Sequence, residues 1–172
     1  EENTVVGNVI LYGATSGDAY INGKAGERFA IRNSGATAVV EAVGAHGCEY
    51  MTNGIVVVLG PTGKNFAAGM SGGIAYVLDE IGDFSETRCN HSMVDIDPID
   101  AKDEEIILQL VQKHKELTNS PRASLIIEQW SKMKQKFVKI FPHDYKKVLG
   151  LSPQLNTNES KESNVMKERV NG

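Results

Sequence analysis

Three side chains that could carry out chemistry lie within four residues of one another, His46, Cys48 and Glu49. Imidazole, thiolate and carboxylate groups all bind zinc, and a thiolate beside a base can act as a nucleophile. Residues 48 and 49 point to opposite faces of any strand, however, and no second cluster supplies the missing ligands. Because the sequence also offers no identifiable base or oxyanion hole for Cys48, we interpret the three residues as packed or solvent-facing.

Two glycine-rich loops and one acidic segment are the other candidate sites. A Gly-x-x-Gly pair beside Lys64 could cradle a phosphate, but its spacing differs from both phosphate-loop patterns and no helix follows it. The segment "GMSGG", residues 69–73, could form an anion nest but favours a tight packing corner. Asp95, Asp97 and Asp100 could bind calcium, yet they lack the spacing of a calcium loop, so a polar linker is the expectation.

The composition places the chain among soluble globular proteins. It has 172 residues, 41% of them apolar, and a net charge of −4. Cys48 and Cys89 are too few for a disulfide framework, which favours a reducing compartment, cytoplasmic or organellar, and a protein that is not secreted. The chain begins at Glu1 without an initiator methionine, so we expect a piece of a longer protein.

A short glycine repeat dominates the first half of the sequence. The Gly-x-x-Gly pairs are Gly23/Gly26, Gly44/Gly47 and Gly60/Gly63, with a degenerate copy at Asp79/Gly82. Their second glycines advance with a period near 19, and a run rich in Val, Ile and Tyr precedes each pair, as strands require. An aromatic residue stands three positions after each second glycine, namely Phe29, Tyr50 and Phe66.

A period of about 20 residues with no room for a helix predicts an all-β fold, a right-handed parallel β-helix with one strand per turn (a single-stranded β-solenoid). We expect the glycines to form sharp corners, with a positive φ at Gly47, and the three aromatic residues to stack in a ladder through the core. Leucine-rich repeats share the period, but their L-x-x-L-x-L pattern is absent.

Two or three helices should follow the solenoid. Apolar residues and one histidine recur at helical spacing after Asp103, at Ile106, Ile107, Leu110, Val111, His114 and Leu117, which predicts a helix ending near Asn119. Ser120 and Pro121 should begin a second helix with one apolar face formed by Ile126, Trp130, Met133 and Phe137. Seven basic residues between 122 and 147 predict a basic surface, with a partner of acidic character or a nucleic acid as the functional alternative to a solvated face.

The predicted organisation has four parts. They are solenoid turns over 1–82, a linker over 83–102, a helical cap or strut over 103–150, and a disordered tail or linker over 151–172. Helices at this position would cover an open strand edge, which otherwise invites aggregation.

With these residues in view, the chain resembles the C-terminal glycine-motif β-helix domain of the large (alpha) subunit of glutamate synthase. The resemblance covers residues 3 to about 149. Since the family has further turns before the residue that matches Glu1, the resemblance implies that residues 1–82 start in the middle of a solenoid. The stretches that carry it run from "GNVILYGATSG" to "GGIAYVLDE", then "CNHSMVDIDPI", the helix start "LTNSPR" and "FVKIFPHDYKKVL".

The resemblance implies a parent oxidoreductase that hydrolyses glutamine, channels the ammonia and converts 2-oxoglutarate, so that two glutamates form. It implies FMN and a 3Fe-4S cluster in the parent enzyme, but no cofactor, metal or catalytic residue in this chain. The implied partners are the amidotransferase and FMN synthase domains of the same polypeptide, with the small subunit as a further candidate, and neither nucleic acid nor membrane. Ferredoxin and a nicotinamide both stay open as the electron donor.

The expected function is therefore structural: the domain spaces and couples the glutaminase and synthase parts, and the chain alone is not catalytic. A second hypothesis is a free β-solenoid that binds a protein or carbohydrate partner. A third is a β-helix subunit of a formylmethanofuran-dehydrogenase-type complex, against which the segment "FVKIFPHDYKKVL" speaks.

Overall fold

A computed structural model describes residues 4–151, which form one seven-stranded sheet with helices on one face. The strands are β1 (Thr4–Val6), β2 (Asp18–Ala25), β3 (Ser34–Val43), β4 (Asn53–Val58), β5 (Ile74–Leu78), β6 (Val94–Pro98) and β7 (Phe137–Pro142). The helices are α1 (Phe84–Thr87), α2 (Ala101–Thr118), α3 (Pro121–Glu128), α4 (Trp130–Met133) and α5 (His143–Val148), with a 3-10 turn at Lys134–Lys136. The tail predicted over 151–172 lies, after residue 151, outside the described residues.

The first five strands confirm the predicted β-solenoid. They are consecutive along the chain, and each pairs in parallel with the next. Tyr20, Val39, Val57 and Tyr76 pair in succession and mark one column through four turns. The chain therefore coils once in about 19 residues, as the glycine period predicts.

The opposite side of each turn, which we call the ridge, consists of residues 9–13, 28–32, 46–50 and 65–69. Its first, third and fifth residues have positive φ in every turn, and most of them are not glycine. A second ladder of backbone hydrogen bonds joins these segments, as when Cys48 N–H donates to Phe29 O and His46 N–H donates to Lys64 O, at 2.8 and 2.9 Å. Left-handed backbone costs about 1–3 kcal/mol per residue, and the ladder offsets that cost turn after turn.

The glycine register differs from the prediction. Gly7, Gly26, Gly44 and Gly63 form the repeating column, since Gly63 N–H donates to Gly44 O at 3.1 Å and Gly44 N–H to Gly26 O at 3.1 Å. Gly47 lies three residues further on, in the column of the buried rings. Gly44, the first glycine of its pair, is thus equivalent to Gly26 and Gly63, the second glycines of theirs, because the turns differ in length.

This register also corrects the aromatic ladder. The inward column is Ile10, Phe29, Gly47 and Phe66, and both phenylalanine side chains are buried. Tyr50 stands three columns further along the ridge, in the column of Arg32, and is 56% exposed, so its predicted place in the core is wrong. Its ring instead packs over Gly69 on the ridge.

The predicted positive φ is found at one of the six corner glycines, Gly23, and is wrong for Gly47. Gly23 has φ 131° and lies in a bulge, where the pairing of β2 with β3 shifts register between Ile21 and Lys24. At the other five positions a glycine is required because neighbouring atoms lie too close to leave room for a Cβ. A Cβ would meet Asn8 at Gly26, Glu27 N at Gly44, the Phe66 ring at Gly47, Glu41 O at Gly60 and Ala45 N at Gly63.

The second half contains more strand than predicted. The segment 83–102, expected as a linker, contains α1 and β6. The helix expected to run to Phe137 is interrupted at Gln129, between α3 and α4, and α4 ends at Met133. Residues 137–142 instead form β7, which pairs antiparallel with both β5 and β6. The spacing of apolar residues after Trp130 is compatible with a helix or with a strand. The strand forms because the backbone groups at the open edge of β5 need hydrogen-bond partners.

The predicted start of α3 and the predicted end of α2 are confirmed, whereas α2 begins at Ala101, two residues before the predicted Asp103. Asp100 caps α2 and Asn119 ends it in a left-handed conformation, while Ser120 Oγ accepts from Ala123 N–H at 2.9 Å at the start of α3. Pro121 is the first residue of that helix. None of the helices in the described residues is long and apolar enough to cross a membrane.

The central strands are buried on both faces, so the molecule has two cores. One lies inside the coil, between sheet and ridge, and includes Phe29, Met51 and Phe66. The other lies between the outer face of the sheet and helices α2 and α3, and includes Val57, Tyr76, Ile107, Val111 and Ile126. The helical layer is therefore an integral part of the domain.

Candidate functional site

His46 and Glu49 meet on the ridge, but Cys48 does not join them. His46 Nδ1 lies 2.7 Å from Glu49 Oε1, and the amide of Asn65 donates to the same oxygen at 3.0 Å. Cys48 faces the core with no exposed surface, and its burial raises the pKa of its thiol far above the ordinary range. The opposite orientation of residues 48 and 49 is confirmed, and this thiol cannot serve as a thiolate ligand or nucleophile in the folded chain.

The residues present do not fit an iron–sulfur cluster. Such a cluster takes three or four cysteine ligands, and the whole sequence has two cysteines. Cys89 is half-buried, which raises the pKa of its thiol to about 12. Within residues 4–151, no group of three or more His, Cys, Asp and Glu side chains is placed to hold a metal ion.

The glycine corners do not fit a phosphate group, including that of FMN. The backbone N–H groups of Gly26, Gly44 and Gly63 donate to carbonyl oxygens of the preceding turn, at 3.0 to 3.2 Å. A phosphate cradle needs such groups to point outward, unpaired, at the anion. These glycines hold the turns together instead.

The three aspartates considered for calcium have other partners. Asp95 accepts from Lys146 at 2.8 Å and contacts His143 at 3.0 Å, and the hydrogen bond from Lys146 is the main reason that the pKa of Asp95 is lowered. Asp97 pairs with the same Lys146 at 2.7 Å. Asp100 accepts from backbone N–H groups at the start of α2. These carboxylates connect β6 to α5 and begin α2.

Five of the seven basic residues of 122–147 form ion pairs, whereas Lys132 and Lys136 form none within the described residues. The pairs are Arg122–Glu80, Lys134–Glu104, Lys139–Asp103, Lys146–Asp95 and Asp97, and Lys147–Asp144. Most of them join the helices or β7 to the solenoid or to one another. The predicted basic surface rested on the number of lysines and arginines alone, and it did not take into account the carboxylates that pair with most of them.

A buried cluster fastens α2 to the sheet, and sequence reasoning missed it. Tyr76 Oη donates to Asp103 Oδ1 at 2.6 Å, and Lys139 Nζ donates to both oxygens of Asp103 at 2.8 and 3.0 Å. Burial, with the neighbouring Asp103, raises the pKa of Tyr76 well above its ordinary value. The sequence shows Asp103 only as an acid in the first turn of a helix, because the partners from β5 and β7 come from distant segments.

A second buried cluster lies at the other end of α2. His114 has no exposed surface, and its Nε2 atom lies 3.7 Å from Glu41 Oε1, too far for a hydrogen bond. Glu41 accepts from Ser120 Oγ, and the Tyr20 ring stacks at 6.2 Å from the imidazole. Desolvation lowers the pKa of His114, which keeps the ring neutral.

These clusters share one property: each joins elements that are distant along the chain. Within residues 4–151 the candidate nucleophile Cys48 is buried, and the three aspartates considered for calcium are paired with cations or with helix N–H groups. The arrangement can hold a helical layer rigidly against a coil of stacked turns. Fold and clusters together define a glycine-repeat β-solenoid domain.

Comparison with known proteins assigns the family. The chain belongs to the family described as "GXGXG motif", whose profile matches residues 1–143. It is similar to the glutamate synthase [NADPH] large chain of Bacillus subtilis, 53% identical over 151 residues, which are 87% of this chain and 10% of that protein. The glutamate synthase [NADH] of Schizosaccharomyces pombe is 56% identical over 150 residues, 87% of this chain and 7% of that protein.

Ferredoxin-dependent glutamate synthase 2 of Synechocystis is 50% identical over 143 residues, 83% of this chain and 9% of that protein. The chain thus spans a tenth or less of the length of these three relatives. The resemblance to the glutamate synthase large chain is confirmed.

Proposed function

We propose that the chain is a structural, non-catalytic domain of a glutamate synthase, the enzyme that converts glutamine and 2-oxoglutarate into two glutamates. In this proposal it holds the glutamine amidotransferase and FMN synthase domains in a fixed relation, in a reducing compartment. The observation that carries the proposal is a solenoid with two cores and with ion pairs between distant elements, in which the candidate nucleophile Cys48 is buried.

The names of the relatives support a role that does not depend on the electron donor. One relative is named for NADPH, one for NADH and one for ferredoxin, and their identities to this chain are 53%, 56% and 50%. A segment that contacted the donor would need different surfaces for a nicotinamide and for a protein. The even similarity favours a function that these enzymes share.

The alternative of a carbohydrate-binding solenoid has less support. Such a site would need exposed aromatic rings in one stripe, and the exposed tyrosines of the ridge, Tyr12 and Tyr50, occupy different columns. The relatives named above are glutamate synthases, which likewise favours the proposed function over a formylmethanofuran-dehydrogenase-type subunit.

A coupling measurement in the full-length enzyme tests the proposal. Gly63→Val should separate the stacked turns, because any Cβ at this position overlaps Ala45 N. We expect the ratio of glutamate formed to glutamine hydrolysed to fall, while each half-reaction assayed alone continues. Gly7→Ala is the matched control, since nothing lies within 4 Å of its Cβ position. If limited proteolysis shows that the turns have opened in the Gly63→Val enzyme and the ratio is nevertheless unchanged, the spacing role is contradicted.

A second measurement tests the non-catalytic part of the proposal. The purified chain should release no ammonia from glutamine and should not bind FMN tightly. Release of ammonia, or stoichiometric FMN binding, would show that the chain contributes a catalytic or cofactor site of its own.

A further inference from the structure

The two long faces of the solenoid differ in what covers them. Helices α2 and α3 pack on the sheet face and bury its apolar side chains. The ridge face is defined as residues 9–13, 28–32, 46–50 and 65–69 with the residue before each. At its last turn Phe84 of α1 packs on Phe66 from the core side, and residues 88–90 pair with the Phe66 backbone. The outward side chains of Arg28, Arg32 and Lys64 are exposed. Tyr12 and Tyr50 are 55% and 56% exposed on the same face.

The ridge face concentrates the positive charge of the solenoid. Residues 1–82 contain four basic side chains, and three of them, Arg28, Arg32 and Lys64, lie exposed on this face. Within residues 4–151 none of the three forms a salt bridge, whereas Arg122, Lys113, Lys134, Lys139, Lys146 and Lys147 all do. Six basic residues of the helical side are therefore paired, whereas Lys102, Lys115, Lys132 and Lys136 of that side, like the three of the ridge, form no salt bridge within the described residues.

Two acidic residues on the same face offset part of this charge and leave an excess of one basic residue. Glu49 is occupied by His46 and by the Asn65 amide, and its side chain is 14% exposed. Glu27 is the other acidic residue of the face. The protein as a whole carries a net charge of −4, so a basic, tyrosine-containing face stands out against its average.

The backbone beneath these side chains is rigid. Arg28 N–H donates to Ala45 O and Arg32 N–H donates to Glu49 O, both at 2.9 Å, so each arginine is anchored by the inter-turn ladder. Arg32 and Tyr50 occupy the same column, one turn apart. Arginine and tyrosine are the residues most enriched at protein interfaces, and a rigid display reduces the entropy lost on binding.

We infer that the ridge face is a docking surface for an acidic polypeptide segment elsewhere in the same glutamate synthase large chain. Arg28, Arg32 and Lys64 bind this segment beside Tyr50. The inference rests on the proposed function and names the partner through which the domain is held. The segment is acidic in this inference because its carboxylates would complement the three basic side chains of the ridge face. The length of the relatives, of which this chain spans a tenth or less, places ample polypeptide outside it.

Photo-cross-linking in the full-length enzyme tests this inference. Tyr50 is replaced by p-benzoylphenylalanine, and the cross-linked peptide is identified by mass spectrometry. The measurement is repeated with Arg28→Glu and Arg32→Glu together. The matched control, Lys102→Glu with Lys132→Glu, makes the same change of charge at exposed positions of the helical side.

We expect a cross-link to a segment rich in Asp or Glu in the same polypeptide. Its yield should fall about tenfold or more on charge reversal at the ridge and stay unchanged in the control, because juxtaposed like charges strongly disfavour association. No cross-link, a cross-link to a segment without carboxylates, to a second copy or to nucleic acid, or a yield insensitive to the reversal would overturn the inference.

The ratio of glutamate formed to glutamine hydrolysed, measured in the same variants, separates this inference from the proposed function. If the cross-link is lost and the ratio does not change, the docking surface is established and the coupling role fails. If the cross-link is insensitive to charge while Gly63→Val lowers the ratio, the coupling role is supported and the docking surface is rejected.

Discussion

Gly47 allows the sharpest test of how the turns are packed. A Cβ at this position would lie 2.8 Å from both Cδ2 and Cε2 of Phe66, and 3.4 Å from Val43 Cγ2. Phe66 is fully buried and contacts Phe84 edge to face at 5.5 Å, so its ring has little room to move. Overpacking of this kind costs about 1–3 kcal/mol. We therefore expect Gly47→Ala to lower the free energy of unfolding by about 2 kcal/mol, and the melting temperature by about 4–8 °C.

A double-mutant cycle separates this explanation from backbone strain. The Gly47 backbone has no positive φ, so the cost should depend on the Phe66 ring. In Gly47→Ala with Phe66→Leu, urea unfolding should show a loss smaller than the sum of the single losses by about 1 kcal/mol or more. Gly7→Ala, with open space at its Cβ position, should be neutral or slightly stabilising. Additive losses, or equal losses for Gly47→Ala and Gly7→Ala, would refute the packing argument.

Three further measurements follow from the buried groups. Burial lowers the pKa of His114, so the unfolded chain binds a proton at this residue before the folded chain does as the pH falls below about 6.5. The free energy of unfolding should therefore decline as the pH falls through that range. In urea titrations, His114→Phe should remove this part of the decline. Lys139→Met should cost about 3–5 kcal/mol in urea unfolding, since it leaves Asp103 buried without its cation; a loss below 1 kcal/mol would mean that solvent reaches the carboxylate. Ellman's reagent at pH 8 should modify neither Cys48 nor Cys89 until the chain unfolds, and rapid modification of Cys48 would contradict its burial.

The repeat and its strands are predictable because they follow from local chemistry. A Val- and Ile-rich run before each glycine corner recurs at the length of one coil, and this period alone indicates stacked strands. The start of α3 is equally local, since Ser120 and Pro121 act on their own first turn. Residues that act within a few positions of themselves leave a signature that can be read in order along the chain.

The ridge and the true register are not predictable in the same way. Positive φ at Arg28, His46 or Tyr50 contradicts the intrinsic preference of these residues and exists because the neighbouring turns supply hydrogen bonds. Similarly, Gly44 and Gly47 look like any other glycine pair until the pairing of the turns shows which one belongs to the column. The cluster of Tyr76, Asp103 and Lys139 depends on a chain reversal that no local pattern specifies.

The antiparallel strand β7 has a consequence for the order in which the domain is made. Contacts between successive turns join residues about 19 positions apart, so the coil can form progressively while the chain is synthesised. The edge of β5, in contrast, waits for its partner, because Leu78 pairs with Phe137, which emerges only after α2 and α3. Closure of a long loop is slow compared with local pairing. During that interval the newly made coil presents an unpaired strand edge, and the helices that follow set how long this aggregation-prone state lasts.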